Sequence, residues 1–313
     1  MKAASILVST ILALELFSWR LAEGAGLPGT VQCPLTVLHG RLYVQAALQG
    51  QAQPSWWLVD TGSPLSLVNA EQAKQLTHSN PGIKEQSATM GRKTHSVLRS
   101  VGINIASQSV GPFDFIEYPS LGALDANRNS RVGFAQPFQT GGLLGLNFLV
   151  QHRARFNFSA QRLFLTAGNG LSGATPVEGF TTVPIQVTTT GRIEVSGLIG
   201  SQLYSFLLDT GSRRSVFDWK VGQANQIPVR LSGMLYFGLV DKQRLVATGD
   251  LRNFKLGTLD VSRKFAQFAD LAGANLTVSH LGFSHPFGGI IGEDLLWDHQ
   301  AILDIGGRTL YLK

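Results

Sequence analysis

Cysteine is nearly missing from this chain. Cys33 stands alone in 313 residues, which excludes an internal disulfide and any zinc site built from several cysteines. Charge is sparse as well, at 15% of residues. The formal balance is +6 and the pI about 9.6, but no basic run exceeds Arg213-Arg214. Scattered cations of this kind read as a basic surface and not as a nucleic-acid footprint. Long apolar runs are few, and the stretch Ile6 to Trp19 is too short to span a bilayer comfortably. Several chemistries lack their residues. His280 and His285 in "HLGFSH" have no third ligand at a suitable spacing, no histidine is placed beside a candidate serine nucleophile, and no phosphate-binding loop occurs. Neither a metal nor a cofactor is therefore expected.

What is abundant points to strands. Thirty-five glycines accompany many Val, Thr, Ser and Phe residues, and 44% of the chain is apolar. That mixture favours a turn-rich β protein, and the length is enough for two domains. At the N-terminus, Lys2 precedes the apolar stretch and "LAEGAG" offers small residues for cleavage after Gly24 or Ala25. Residues 1–25 thus read as an export signal, and the protein as periplasmic or secreted. The alternative is an uncleaved N-terminal segment that attaches it to a membrane. The sequons at Asn157 and Asn275 matter only in a eukaryotic secretory route.

The chain repeats itself. "GRLYVQAALQGQAQPSWWLVDTGS", from Gly40, aligns with "GRIEVSGLIGSQLYSFLLDTGS", from Gly191, with a two-residue length difference. "GGLLGLNFLVQHRARFNFSAQRLFL" (Gly141 to Leu165) aligns without a gap with "GGIIGEDLLWDHQAILDIGGRTLYL" (Gly288 to Leu312). A period this long means two copies of one domain and not a solenoid. The copies are expected at 35–166 and 181–313, with the Gly/Ser/Thr-rich stretch 167–180 as linker. Alternating and apolar runs predict strands in each copy, and only "LNFLVQHR" and "EDLLWDHQ" look helical. Asn147 and Asp294 stand near the start of those helices, where short polar side chains cap free amides. His152 and His299, which follow them, read as structural.

Each copy carries one D-T-G-S turn, with Asp60 or Asp209 entering from a buried apolar strand. A carboxylate there is costly unless it is paired, hydrogen-bonded or protonated. "LVDTGS" with "GLLGLNFL", and "LLDTGS" with "GIIGEDLL", resemble the aspartic proteases, specifically the retropepsin-like domain of the clan that includes pepsin. The resemblance spans about residues 35–313. It implies an all-β fold of two homologous acid-protease-like β-barrel lobes, one short helix each, related by a pseudo-twofold axis. It also implies one site shared by both lobes of a monomeric chain.

From this resemblance, Asp60 and Asp209 form the catalytic dyad of an endopeptidase acting on a protein or peptide substrate. Thr61 and Thr210 hydrogen-bond across the lobe interface. Gly62 and Gly211 allow close approach, and the hydroxyls of Ser63 and Ser212 reach the outer carboxylate oxygens. Gly145 and Gly292 pass behind the turns. Flap hairpins are expected around Gly91 in "SATMGRKTHS" and within "GMLYFGLVDKQRL"; Tyr236 in the latter is similar to the flap tyrosine of pepsins, but at a different spacing, so it reads first as a core strand tyrosine. Arg213 and Arg214 either border the substrate subsites or face solvent. The rival expectation is a catalytically inactive peptide-binding module on the same scaffold.

Overall fold

A computed structural model of the chain describes residues 29–38, 40–51, 53–79, 84–90, 93–118, 140–166, 177–236, 244–272 and 276–313. The proposed export segment lies outside them, and so do Gly91, Asn275 and most of the expected linker.

The fold is all-β, and the duplication is visible in its strand order. In the first half the sheet runs Thr36–Leu38, Arg41–Leu48, Ser55–Val59, Thr140–Leu144, Leu67–Asn69, Gln108–Tyr118, Lys93–Ile105, Lys84–Met90. In the second half the corresponding run is Thr181–Val187, Ile193–Ile199, Gln202–Leu208, Phe287–Ile291, Val216–Asp218, Arg263–Ala269, Arg244–Leu251, Val229–Tyr236. Each sheet also curls back on itself. Ala46 pairs with Ile105 in one half, and Gly197 pairs with Leu256 in the other.

The strand entering each D-T-G-S turn is central and buried on both faces, which is why "WWLV" and "SFLL" are apolar without alternation. Ser55–Val59 lies parallel to Thr140–Leu144, and Gln202–Leu208 parallel to Phe287–Ile291. Both pairs carry a register irregularity at the same place, between Trp56/Trp57 and between Ser205/Phe206. Trp57, 0% exposed, packs edge-on against Phe115 at 5.3 Å, and Phe217 packs edge-on against Phe254 at 5.4 Å. Truncating an aromatic of this kind to alanine costs about 3–5 kcal/mol.

The halves are joined by an antiparallel sheet to which both contribute. Its order is Thr30–Pro34, Arg162–Thr166, Arg155–Asn157, Ile302–Asp304, Thr309–Leu312, Thr181–Val187. At its centre Phe156 faces Leu303, its own counterpart in the repeat, with Arg155 opposite Asp304 and Asn157 opposite Ile302. A register that maps each strand onto its duplicate is what a pseudo-twofold axis requires. The first half begins earlier than residue 35, because Thr30–Pro34 pairs along its whole length with Arg162–Thr166. Cys33 is buried in that strand, and burial pushes its thiol up to about 12, far from reactivity at neutral pH. Asn157 is also buried, its side-chain oxygen accepting from the Ser159 hydroxyl and the Ala160 amide, so that sequon cannot carry a glycan without disruption.

The two expected helices form, as Leu146–Gln151 and Glu293–Asp298, and three more accompany them among the described residues. Ala70–Ser79 follows the first turn, Trp219–Ala224 occupies the equivalent place after the second, and Val278–Leu281 precedes the strand Phe287–Ile291. Among the described residues no helix is long and apolar enough to cross a membrane.

Candidate active site

Both D-T-G-S turns arrive at the axis from their apolar strands. The Asp60 amide donates to the Leu144 carbonyl at 3.0 Å, and the Asp209 amide donates to Ile291 at 3.0 Å, so each carboxylate leaves a fixed strand end. Asp60 is buried, while Asp209 keeps partial access to solvent. The two side chains come within hydrogen-bonding reach of one another. Asp60 Oδ1 accepts from the amides of Gly62 at 2.8 Å and Ser63 at 3.0 Å, and Asp209 Oδ1 from the amide of Gly211 at 2.8 Å. Asp60 is thus partnered by Asp209, with backbone dipoles under both.

The threonines lock the turns together across the axis. Thr61 Oγ1 donates to the Leu208 carbonyl and accepts from the Thr210 amide, both at 2.9 Å. Thr210 Oγ1 donates to Val59 at 2.9 Å and accepts from the Thr61 amide at 3.0 Å. Both threonines are 0% exposed, so every donor in this lattice needs its partner. The glycines make room for the pair. A Cβ on Gly62 would lie 2.3 Å from Asp209 Cγ, and one on Gly211 2.5 Å from Asp60 Cγ.

The serine hydroxyls do not do what the resemblance implied. Ser63 Oγ donates to the Leu65 carbonyl at 2.8 Å, and Ser212 Oγ donates to the Arg214 carbonyl at 2.9 Å. A hydroxyl has one proton to give, and here it closes the turn on itself instead of reaching the carboxylate. Ser63 supports Asp60 through its amide.

A second pair of serines, not singled out from the sequence, fastens the strand behind each turn. Ser66 Oγ donates to Asn147 Oδ1 at 2.8 Å and accepts from the Gly145 amide at 2.9 Å. Ser215 Oγ donates to Asp294 Oδ1 at 2.6 Å and accepts from the Gly292 amide at 3.0 Å. Asn147 and Asp294 are therefore spent on this serine and on the next residue's amide, while Gly145 and Gly292 take the N-cap positions. The signal was present, since both serines recur at the same offset as the aspartates.

The electrostatics break the symmetry of the dyad. Burial raises the Asp60 carboxyl well above the usual range, and the charge of Asp209 raises it further. Burial also raises Asp209, but its hydrogen bond to Asp60, the turn amides and the half-buried Arg192 guanidinium oppose the rise. Arg192 and Arg41 are counterparts in the repeat with different surroundings. Arg41 acts on Glu293, a buried carboxyl that replaces the apolar Leu146 of the first copy. Burial pushes Glu293 up to about 8, against the pull of the Leu42 amide, the Trp297 indole and Arg41. Its Oε1 has no hydrogen-bond partner among the described residues. Sequence reasoning passed over Arg192 and Glu293, although an acid beside a D-T-G-S partner strand was a visible departure between copies.

The remaining sequence candidates scatter. Arg213 is exposed and leans on the first half, where a Cβ on Gly40 would lie 2.6 Å from its Nε. Pro64, its counterpart, meets Gly191 in the same way. Arg214 points elsewhere, into a groove with Lys264 and His299, and is not brought to the dyad. Lys84–Met90 and Lys93–Ile105 form the expected first hairpin, with Met90 opposite Lys93, but its tip with Gly91 lies outside the described residues. Tyr236 ends the strand Val229–Tyr236 opposite Arg244, at the loop end of the described part of the second hairpin. His152 and His299 terminate their helices. The His152 ring lies 4.3 Å from that of Phe148, tilted by 45°, with burial lowering its pKa. No group of three or more His, Cys, Asp or Glu among the described residues is arranged to hold a metal.

No family model matches the chain, and no curated protein matches it. Among solved structures the chain is similar to basic 7S globulin from soybean, with 13% identity and a TM-score of 0.48 over 91% of this chain and 95% of that one. A likeness at that level assigns neither family nor activity.

Proposed function

We propose that the chain is an aspartic endopeptidase in which Asp60 and Asp209 hydrolyse a peptide bond with an activated water. The observation that carries this reading is the meeting of the two carboxyls at the axis, each held by turn amides and locked by the Thr61–Thr210 lattice. Two carboxylates about 3 Å apart cannot both ionise, so the pair holds one proton. Arg192 beside Asp209, and the deeper burial of Asp60, assign that proton to Asp60. Asp209 then takes a proton from water as the water oxygen bonds to the carbonyl carbon, while Asp60 gives its proton to the carbonyl oxygen. The tetrahedral diol then collapses: one diol hydroxyl returns a proton to Asp60 as its C–O bond becomes C=O, the C–N bond breaks, and the amine leaves with the proton held by Asp209, which restores the starting pair.

One chain supplies both aspartates, so the site is complete in a monomer. The substrate is a protein or peptide in extended form, and the apolar stretch with small residues at 1–25 supports export. The test is cleavage of an unfolded protein at mildly acidic pH, with and without a statine-type mimic. Such mimics bind far more tightly than substrate. Binding of peptides without any cleavage would favour the inactive module instead.

A further inference from the structure

The duplication is least symmetric behind the second turn. In the first half Phe113 packs edge-on to Phe148 at 5.2 Å, and His152 lies against Phe148 at 4.3 Å. The strand registers make Lys264 the counterpart of Phe113, while Leu295 and His299 replace Phe148 and His152. There the second half holds an open groove of about 380 Å³, whose walls include Arg214, Lys264 and Phe265.

Three features of this groove select the same kind of occupant. Arg263 is engaged by Asp298 at 2.8 Å and Asp294 at 3.4 Å, but Arg214 and Lys264 have no ion-pair partner among the described residues. Phe265 is 83% exposed, the most open large apolar side chain of the described surface. The strand Arg263–Ala269 is paired by Val216–Asp218 only at Gln267 to Ala269, so on that side the edge of Arg263 to Ala266 meets no strand among the described residues. An unpaired strand edge offers backbone hydrogen bonds to an added strand. Two unpaired cations supply a charge preference, and an exposed ring supplies apolar contact.

We propose that this groove docks an extended polypeptide segment in which acidic and apolar residues alternate, added as a strand beside Arg263 to Ala266. Its acidic side chains meet Arg214 and Lys264, and its apolar side chains cover Phe265. The site lies apart from the dyad and does not depend on its chemistry.

Fluorescence anisotropy on the Asp60→Asn protein reads binding without cleavage. The probe is a labelled (Glu-Val)4 peptide, with (Lys-Val)4 as its charge-reversed partner. Saturable binding of (Glu-Val)4 alone is expected. Lys264→Glu with Phe265→Ser should weaken it about tenfold or more, whereas Lys220→Glu, with the same charge change at another exposed position, should leave it within about twofold. Lys264→Gln, a milder change at an exposed site, should weaken binding severalfold and guards against misfolding of the double variant. In the chain that keeps Asp60, Lys264→Glu with Phe265→Ser should leave cleavage of a short peptide unchanged. No saturable binding, equal binding of both peptides, or equal loss in Lys220→Glu would overturn the proposal. Binding of (Glu-Val)4 together with a wild-type protein that cleaves nothing would leave this groove standing and remove the protease reading.

Discussion

Single side chains decide how this site titrates. Arg192 stabilises the ionised form of Asp209, so Arg192→Ala should move the acidic limb of the kcat/KM profile to higher pH, and Arg192→Lys should restore much of the original limb. An unmoved limb would separate Arg192 from the dyad. Glu293 makes a prediction about stability. Its folded carboxyl is raised from the ordinary 4.5 to about 8, so the folded state holds a proton that the unfolded state releases. Stability from this group is complete below about pH 4.5 and is lost as pH rises through about 8, by up to about 4–5 kcal/mol. Glu293→Gln should flatten that part of the profile, so that thermal melts of wild type and variant diverge between pH 5 and 8. Parallel melts across the window would contradict the assignment.

At the scale of elements, the Thr61–Thr210 lattice is the rigid part of the site. Thr61→Val or Thr210→Val leaves a buried amide and a buried carbonyl unpaired, at about 1–3 kcal/mol each. The double variant should cost less than the sum, because the residues share partners. Equilibrium urea unfolding of the two single variants and the double measures this. The turns and the strands behind them were legible in sequence because two copies expose what chance obscures in one. The helix Ala70–Ser79 was not, since only Ala73 and Leu76 are well buried on it and its polar residues hide the period. Its cap was readable, however: Asn69 Oδ1 accepts from the Glu71 amide at 2.9 Å. The direction of the Ser63 and Ser212 hydroxyls was also illegible, because spacing fixes where a hydroxyl sits and not which of two nearby acceptors takes its proton. The direction of Arg214, left open between the subsites and solvent, was illegible for a related reason. Adjacent residues past a turn point apart, and only the fold shows that Arg213 meets Gly40 while Arg214 enters a separate groove.

For the whole molecule, the pseudo-twofold axis does two things at once. It brings Phe156 opposite Leu303 in the bridging sheet and Asp60 beside Asp209 at the site, so the assembly of the halves is also the assembly of the dyad. The asymmetries are superposed on that frame: Arg192 without an acid counterpart to Glu293, Pro64 against Arg213, a closed aromatic cluster against an open cationic groove. The most direct measurement is cleavage of an unfolded protein substrate at mildly acidic pH by wild type, Asp60→Asn and Asp209→Asn, with circular dichroism to show that all three are folded. Wild type should cleave, and each substitution should lower turnover by roughly 10²–10⁴-fold, because an amide cannot alternate between acid and base. A folded wild type without turnover, or either variant retaining most of it, would contradict the dyad.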